Sequence, residues 1–504
     1  MNNKLIFNPE ESKLSIDRAF NVAFSAHKAG NLELAANGYK EVLRLRPNHA
    51  PSLNLMGLIA KETRHLYAAV DLISRAIINN KNVPEYHYNL GVVYQELKEY
   101  DAAIRQYEIT LNLDKFYKSA YCNLIVALQM DGQLERAEVV ADKGYEIIGD
   151  ELGIIRNVAT VKFLVGKTRQ ALKFYNKALK FSSDDPHIHI RRSACLLKIE
   201  NFQEGWKEYR WRGGDPKKWY KQFDIDCEVS QSLDYGGLYG MRVYLKREQG
   251  IGDEIMFASI LSELCLVTEE LVVQIDPRLT SIFRASFPSI KFVSTKQDVE
   301  QFDIVMMHVD LLAIFRRNMA DFHREAYLVA QDKRYLFKDE NNDKKIRVGI
   351  VWRGGVDPYV ASYRSIPLGS FIKVALPYSQ IELIPLQYDI TRSEMDIIRS
   401  SPCFGIESGL DLRNDVSALA SLIDNLDCVV GTDNSVIHLA GALGKKVYLL
   451  LHQGCDWRWF EGYNYSHWYK DVKIYRRMSL DIGDWCPDLE KVFCDVTDDM
   501  MSSQ

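Results

Sequence analysis

The chain has 504 residues, 47% of them apolar and 26% charged, with a formal net charge of −5. One hydrophobic core rarely organises so long a chain, so two or three domains are expected, and the ordinary composition excludes a largely disordered protein. The acidic balance argues against a general nucleic-acid binder, and no apolar run approaches the ~20 residues that span a bilayer. The N-terminus turns polar and acidic before any long apolar stretch, so it does not read as a signal peptide. Nine cysteines are scattered without a CxxC pair. Neither a zinc site nor a disulfide framework is indicated, and reduced thiols in a cytoplasmic protein are expected.

From the N-terminus the dominant feature is a repeat. Alanines stand at Ala35, Ala69, Ala103, Ala137 and Ala171, each 34 residues after the last, with Gly205 on the next step. A second small-residue column runs Ala23, Gly57, Gly91, then Ile125, Ala159 and Ser193. A third, Gly30, Arg64, Lys98, Gly132, Gly166 and Glu200, marks the turn within each helix pair. Small residues are needed where paired helices cross closely. This register resembles the tetratricopeptide repeat family, with NLGVVYQELKEYDAAIRQYE (89–108) as its clearest copy. About six repeats fit residues 15–211, forming an α-solenoid.

Two positions before the small-residue column lie Asn21, Leu55, Asn89, Asn123, Asn157 and Arg191. An amide offers both a donor and an acceptor, so stacked asparagines can hold the backbone of an extended peptide. The pattern resembles the asparagine ladder of O-GlcNAc transferase, and Asn21, Asn89, Asn123 and Asn157 are the expected acceptor-peptide groove. The competing reading is that asparagine is simply common at this position of such repeats.

The stretch 212–240 is rich in glycine and aromatics without a period, and reads as a packed connector. It contains Asp224-Ile-Asp226, formally a DxD pattern, but this follows no clear strand and no metal site is assigned. Beyond Met241, short β-branched runs alternate with amphipathic stretches. Strands are expected at 242–248, 271–275, 291–295 and 302–307, then at 347–352, 381–387, 426–433 and 445–451. A charged stretch at 338–345 separates the two series. Alternation of this kind implies parallel sheets with crossover helices, and ligands sit beyond the carboxyl ends of such strands.

Three segments at those ends carry polar chemistry. In REQGIGDEIMFA (247–258), Gly250 and Gly252 permit close backbone approach, and Asp253 is either functional or merely a helix N-cap. In VGIVWRGG…YRSIPLGSF (348–371), Arg353 and Arg364 follow a buried strand and could fork onto a diphosphate. In VVGTDNSVIHLAGALGKKVYLLL (429–451), Thr432, Asp433, Asn434 and Ser435 precede a helix whose free N–H groups suit a phosphate, with His438 in its first turn.

Together these motifs resemble glycosyltransferases of the GT-B fold, closest to the family nine, heptosyltransferase-like group, over residues 241–485. DWRWF (456–460), HWY (467–469) and GWKEYRW (205–211) look like parts of bacterial fusions between tetratricopeptide repeats and such a transferase. The resemblance implies two Rossmann-like domains, at 241–337 on the acceptor side and at 338–490 for the nucleotide sugar. Asp253 matches the general base. Gly252, Arg353, Arg364, Thr432, Asp433, Asn434, Ser435 and His438 are the expected donor-binding set, with Arg364 standing where the family has a lysine. No resident cofactor is implied, and the donor's base and sugar stay open. The expected reaction is an inverting, metal-independent transfer from a nucleotide sugar to a hydroxyl. Its acceptor is expected to be a protein delivered by the repeats, with flagellin the client that similar fusions imply. The alternatives are a lipopolysaccharide or other glycan acceptor, and a non-catalytic scaffold with a degenerate transferase domain.

Overall fold

The computed structural model describes residues 9–222, 225, 233–295, 301–331, 345–354, 364–405, 410–477, 479 and 483–501. Both aspartates of the DxD pattern, Asp224 and Asp226, lie outside the described residues, as does most of the charged stretch at 338–345. The chain divides into two compact units, Met1–Val161 and Lys162–Gln504.

The first unit consists of helix pairs: α1 (Pro9–Lys28) with α2 (Leu32–Leu45), α3 (Ala50–Glu62) with α4 (Leu66–Asn79), α5 (Pro84–Glu96) with α6 (Tyr100–Leu113), and α7 (Lys118–Met130) with α8 (Leu134–Ile148). Most of α9 (Leu152–Leu164) follows. The three sequence columns each have a structural cause. Gly30, Arg64, Lys98 and Gly132 have φ of +76°, +64°, +62° and +79°. This left-handed conformation ends the first helix of each pair and reverses the chain, and Arg64 and Lys98 occupy it despite their Cβ atoms. Ala35, Ala69, Ala103 and Ala137 are fully buried. A Cβ on Gly57 would lie 2.4 Å from Ile73 Cγ1, and one on Gly91 would lie 2.6 Å from Tyr107 Cε1. The glycine of the first helix thus makes room for a large side chain of the second.

The second unit opens with the remaining repeat helices α10 (Thr168–Ala178), α11 (Pro186–Lys198) and α12 (Phe202–Tyr209), then a 3₁₀ turn Arg210–Gly213 and α13 (Pro216–Lys221). Two wholly parallel sheets follow. The first comprises β1 (Arg242–Lys246), β2 (Glu270–Gln274), β3 (Lys291–Val293) and β4 (Ile304–Met307) in the order β3-β2-β1-β4. Helices α14 (Ile251–Phe257), α15 (Leu261–Cys265), α16 (Thr280–Ser286) and α17 (His308–Phe315) accompany it. The second comprises β5 (Ile346–Val351), β6 (Ile381–Pro385), β7 (Cys428–Thr432), β8 (Val447–Leu451) and β9 (Val472–Arg476) in the order β6-β5-β7-β8-β9. Its helices are α18 (Leu368–Ala375), α19 (Arg392–Ser400), α20 (Val416–Asp424), α21 (Ser435–Ala442) and α22 (Cys486–Met501).

Every residue of β7 and β8 is buried, as expected of central parallel strands covered on both faces. Edge strand β9, which sequence patterning did not anticipate, mixes buried apolar residues with exposed Lys473. After β1 the chain forms α14 and α15, separated by a 3₁₀ turn at Ala258–Ile260. Strand order reverses between β1 and β4 and between β5 and β7. A crevice opens at each reversal, because the connections leave on opposite faces. The three polar segments follow β1, β5 and β7, and so all three lie at these crevices.

The compact division falls after Val161, whereas the end of the repeats lies near Trp211. Buried bonds explain why the last repeat belongs with the sheets. Trp206 Nε1 donates to the Arg316 carbonyl at 2.7 Å, and Arg210 Nε donates to Asp310 Oδ1 at 3.1 Å. Tyr220 OH donates to the same Asp310 oxygen at 2.6 Å, and Arg212 pairs with buried Glu248. Trp206 also meets Trp457 edge-on at 5.2 Å. A chain starting at Leu152 is therefore expected to unfold in one cooperative transition close to that of the full protein. One starting at Asp215 exposes this apolar and ionic surface and is expected to lose that transition, as calorimetry of the two truncations will show.

Candidate functional site

The three polar segments meet through a string of alternating charges. It begins at Asp253, in the first turn of α14. The cap position there is Gly250, so Asp253 is not the helix N-cap. Arg458, in a 3₁₀ turn at Trp457–Trp459, donates to Asp253 Oδ1 through both Nε and Nη2. Its Nη1 donates to Asp456 Oδ1 at 2.6 Å. Asp456 Oδ2 accepts from Arg364 Nη2 at 2.9 Å, and the same nitrogen lies 3.3 Å from Asp433 Oδ2. Asp433 Oδ1 lies 3.7 Å from His438 Nε2. The other His438 nitrogen bonds Tyr469 OH at 2.8 Å, and its ring stacks on Trp459. The remaining Asp253 oxygen, Oδ2, faces the amide nitrogen of Gln249 at 2.9 Å in the orientation that satisfies both Gln249 neighbours.

The other expected donor residues have structural employment. Arg353 Nη1 pairs with Glu394 at 2.7 Å, and its Nη2 donates to the Asp389 carbonyl at 2.8 Å, which ties β5 to the loop after β6. Asn434 is the N-cap of α21, its Oδ1 accepting from the Val436 and Ile437 amides at 2.9 and 3.2 Å. Its Nδ2 donates to the Arg353 carbonyl. Those two amides, expected to be open to a phosphate, are thus occupied by the protein's own side chain. Gly354 permits the arrangement, because a Cβ there would lie 2.1 Å from the Asp433 carbonyl oxygen. Gly252 faces the other crevice, with its missing Cβ 3.4 Å from Ser435 Cα. Thr432 and Asp433 are buried at the end of β7.

Cavities flank the α21 start on two sides. One of about 410 Å³ lies beyond β6, walled by Tyr388, Ile390, Met395, Phe404, Leu410 and Leu412. A neighbouring cavity of about 290 Å³ shares Tyr388, Asp389, Leu412 and Arg413 with it, and reaches Arg278, Ile251 and Ser435. Most of this trough is walled by residues 385–413, which hold none of the expected donor-binding residues. A third cavity, of about 130 Å³, lies on the far side, where Thr432, Asp433, Arg364 and Asp456 meet residues of the last repeats.

The asparagine column behaves differently along its length. Asn21 is exposed. Asn89 is buried and donates to Asn54 Oδ1 at 3.1 Å. Asn123 donates to Tyr88 OH at 3.1 Å, and Asn157 to the Cys122 carbonyl at 3.1 Å. Each of these three amides thus reaches 35 residues back and ties one repeat to the next, which uses donor capacity that a bound peptide would otherwise take.

Comparison with known proteins finds relatives of the repeat part and one of nearly the whole chain. Residues 84–115 match the tetratricopeptide repeat model. Over 501 aligned residues the chain is 23% identical to protein FlbA of Caulobacter vibrioides (strain ATCC 19089 / CIP 103742 / CB 15), covering 94% of this chain and 82% of that protein. Among solved structures, Pseudomonas aeruginosa PilF matches with a TM-score of 0.37 at 13% identity, over 42% of this chain and 98% of its own. YrrB, described as a TPR protein with an unusual peptide-binding site, matches with a TM-score of 0.32 at 20% identity, over 36% and 92%. The N-terminal part is a tetratricopeptide-repeat solenoid, and the part after it is built of parallel sheets with helices. Among the described residues, no helix is long and apolar enough to cross a membrane.

Sequence reasoning missed Asp456 and Arg458, which it knew only as letters of a resemblance motif. Their signal is the alternation of acid and base with tryptophan in DWRW, which places charge inside an aromatic environment. Burial opposes ionisation of Asp456, yet Arg458 and Arg364 together hold its carboxyl well below the ordinary range. Burial alone would lower the Arg458 pKa, but Asp253 and Asp456 raise it well above its usual value. Beside Asp253, burial pushes Glu254 up to about 7 against the pull of Arg247 and the Asp276 amide.

Removing Arg458 would leave two carboxylates without their shared cation. Arg458→Ala is expected to destabilise the second unit by about 3–5 kcal/mol in denaturant titrations, with Arg458→Lys intermediate. At the β4 crevice, burial lowers His308 to about 4, helped by Arg212 and Arg247. The folded state thus resists a proton that the unfolded chain takes up near pH 6.5. Stability from this group is complete above that pH and is lost as pH falls toward 4, by up to about 3 kcal/mol. His308→Gln should flatten this part of the acid limb in stability measured against pH.

Proposed function

We propose that this protein is a glycosyltransferase of GT-B type, moving a sugar from a nucleotide donor to a hydroxyl on a protein brought by the repeats. The observation that carries this reading is the position of Asp253. It follows the first strand of one parallel sheet and is joined through Arg458, Asp456 and Arg364 to Asp433 at the strand reversal of the other. In this reading the nucleoside occupies the trough walled by Tyr388 and Leu412. The donor phosphates then approach Ser435 and Arg364.

Asp253 Oδ1 is held by the guanidinium and Oδ2 faces the Gln249 amide, which together aim the carboxylate, and the lone pair left on Oδ2 takes the proton. The acceptor oxygen forms its bond to the anomeric carbon as the bond from that carbon to the phosphate oxygen breaks. The hydroxyl proton passes to Asp253, and the nucleotide leaves with its charge stabilised by Arg364. The fusions that this chain resembles make flagellin a candidate client. A scaffold role is the second reading, and the self-capped start of α21 favours it, because Asn434 fills part of the expected phosphate site.

The deciding experiment is a thermal-shift and turnover screen of CMP-, UDP-, GDP- and ADP-sugars on the full chain and on Asp253→Asn. Stabilisation by one donor is expected in both proteins, with transfer reduced by roughly 10²-fold or more in the variant. Undiminished transfer by Asp253→Asn would remove the base. No stabilisation by any donor would leave the scaffold.

A further inference from the structure

The column Asn21, Leu55, Asn89, Asn123, Asn157 changes character at its sixth step, Arg191 on α11. This arginine lines the third cavity together with Arg364, Thr432, Asp433 and Asp456. The space is built, and two features show how. Gly454 lets the loop after β8 press against the end of α9, since a Cβ there would lie 2.7 Å from the backbone of Leu164. Lys198 of α11 donates to the Gln453 carbonyl at 3.1 Å, fixing the repeat to the same loop.

The lining mixes functions. Asp433 and Asp456 offer carboxylate acceptors, Arg191 and Arg364 offer donors, and Thr432 and His452 add polar atoms. Phe163, Leu164, Ala194, Leu451 and Trp457 supply apolar walls. Both carboxylates, and Arg364 between them, are already engaged in ion pairs. Arg191 makes no ion pair or side-chain hydrogen bond with any described residue, and it is half-buried. With both carboxylates and Arg364 paired to one another, this space offers a ligand little free charge. Hydroxyls suit it, because each can donate to a carboxylate while accepting from a guanidinium. At about 130 Å³ the space is smaller than either cavity of the trough.

We propose that this cavity is the subsite for the transferred sugar, a polyhydroxylated ring, and that the last repeat completes it with Arg191. The proposal rests on the transferase reading and extends it. The repeats then supply part of the catalytic unit's own ligand site, which is why their last members fold with it.

The test uses saturation-transfer NMR on the full chain with free glucose, galactose and N-acetylglucosamine as probes, and calorimetric titration with pyrophosphate. Wild-type protein is expected to saturate the ring protons of at least one sugar. Arg191→Ala should weaken that binding roughly tenfold, Arg191→Lys should recover part of it, and pyrophosphate affinity should not change. Thermal melts of the variants verify folding. Absence of saturation for every sugar in the wild type overturns the proposal, as does equal binding by Arg191→Ala. A loss confined to pyrophosphate also overturns it, by making the cavity an anion site. Arg191-dependent sugar binding without turnover of any nucleotide sugar keeps the subsite and removes the transferase.

Discussion

A guanidinium largely withdrawn from water has to be neutralised where it stands, and Arg458 meets that requirement with partners from three parts of the fold. Asp253 comes from the first sheet, Asp456 from the loop after β8, and the Tyr209 hydroxyl from the last repeat. The side chain also lies over the Trp457 ring at 4.5 Å, so its flat face is covered while its edge is spent on oxygen atoms. Taking the charge from water is costly, and these partners offset that cost jointly rather than singly. The position of the two sheets and of the last repeat around Arg458 follows from that electrostatic condition as much as from apolar packing.

The same condition explains why the second compact unit begins within α9. The carboxyl ends of β1 and β4 would leave Glu248, His308 and Asp310 facing an open crevice. Arg210, Arg212 and Tyr220 close it instead, pairing with the two carboxylates. The crevice of the first sheet is therefore largely filled by protein. The second sheet keeps its crevice open as the trough beside Tyr388. The trough and the smaller cavity beside Arg364 lie around the ends of β6, β7 and β8.

The site is close to internal neutrality. Carboxylates 253, 433 and 456 alternate with arginines 364 and 458, so each charge has an opposite neighbour. Asp456, between the two guanidiniums, has its carboxyl held well below the ordinary range despite burial. The alternation also means that an arriving ligand has to exchange contacts with groups already satisfied, which favours ligands offering several hydrogen bonds over those offering charge alone.

Much of this was written in local pattern. The 34-residue columns fix helix pairs because turn conformation and close helix crossing depend on residues a few positions apart, and Gly30, Lys98 and Ala103 carry that information themselves. The buried strands and the polar residues after β1, β5 and β7 are equally local, since alternation and strand-end chemistry follow from backbone geometry. Tertiary structure decided the rest. Arg458 and Asp253 are 205 positions apart, and nothing near either residue marks the other as its partner. Asn21, Asn89, Asn123 and Asn157 look alike in sequence, yet Asn21 is exposed while the other three are tied between repeats. Which side chains share a buried charge, and which face empty space, depends on how separately encoded elements pack, because burial and Coulomb energy are properties of the assembled neighbourhood.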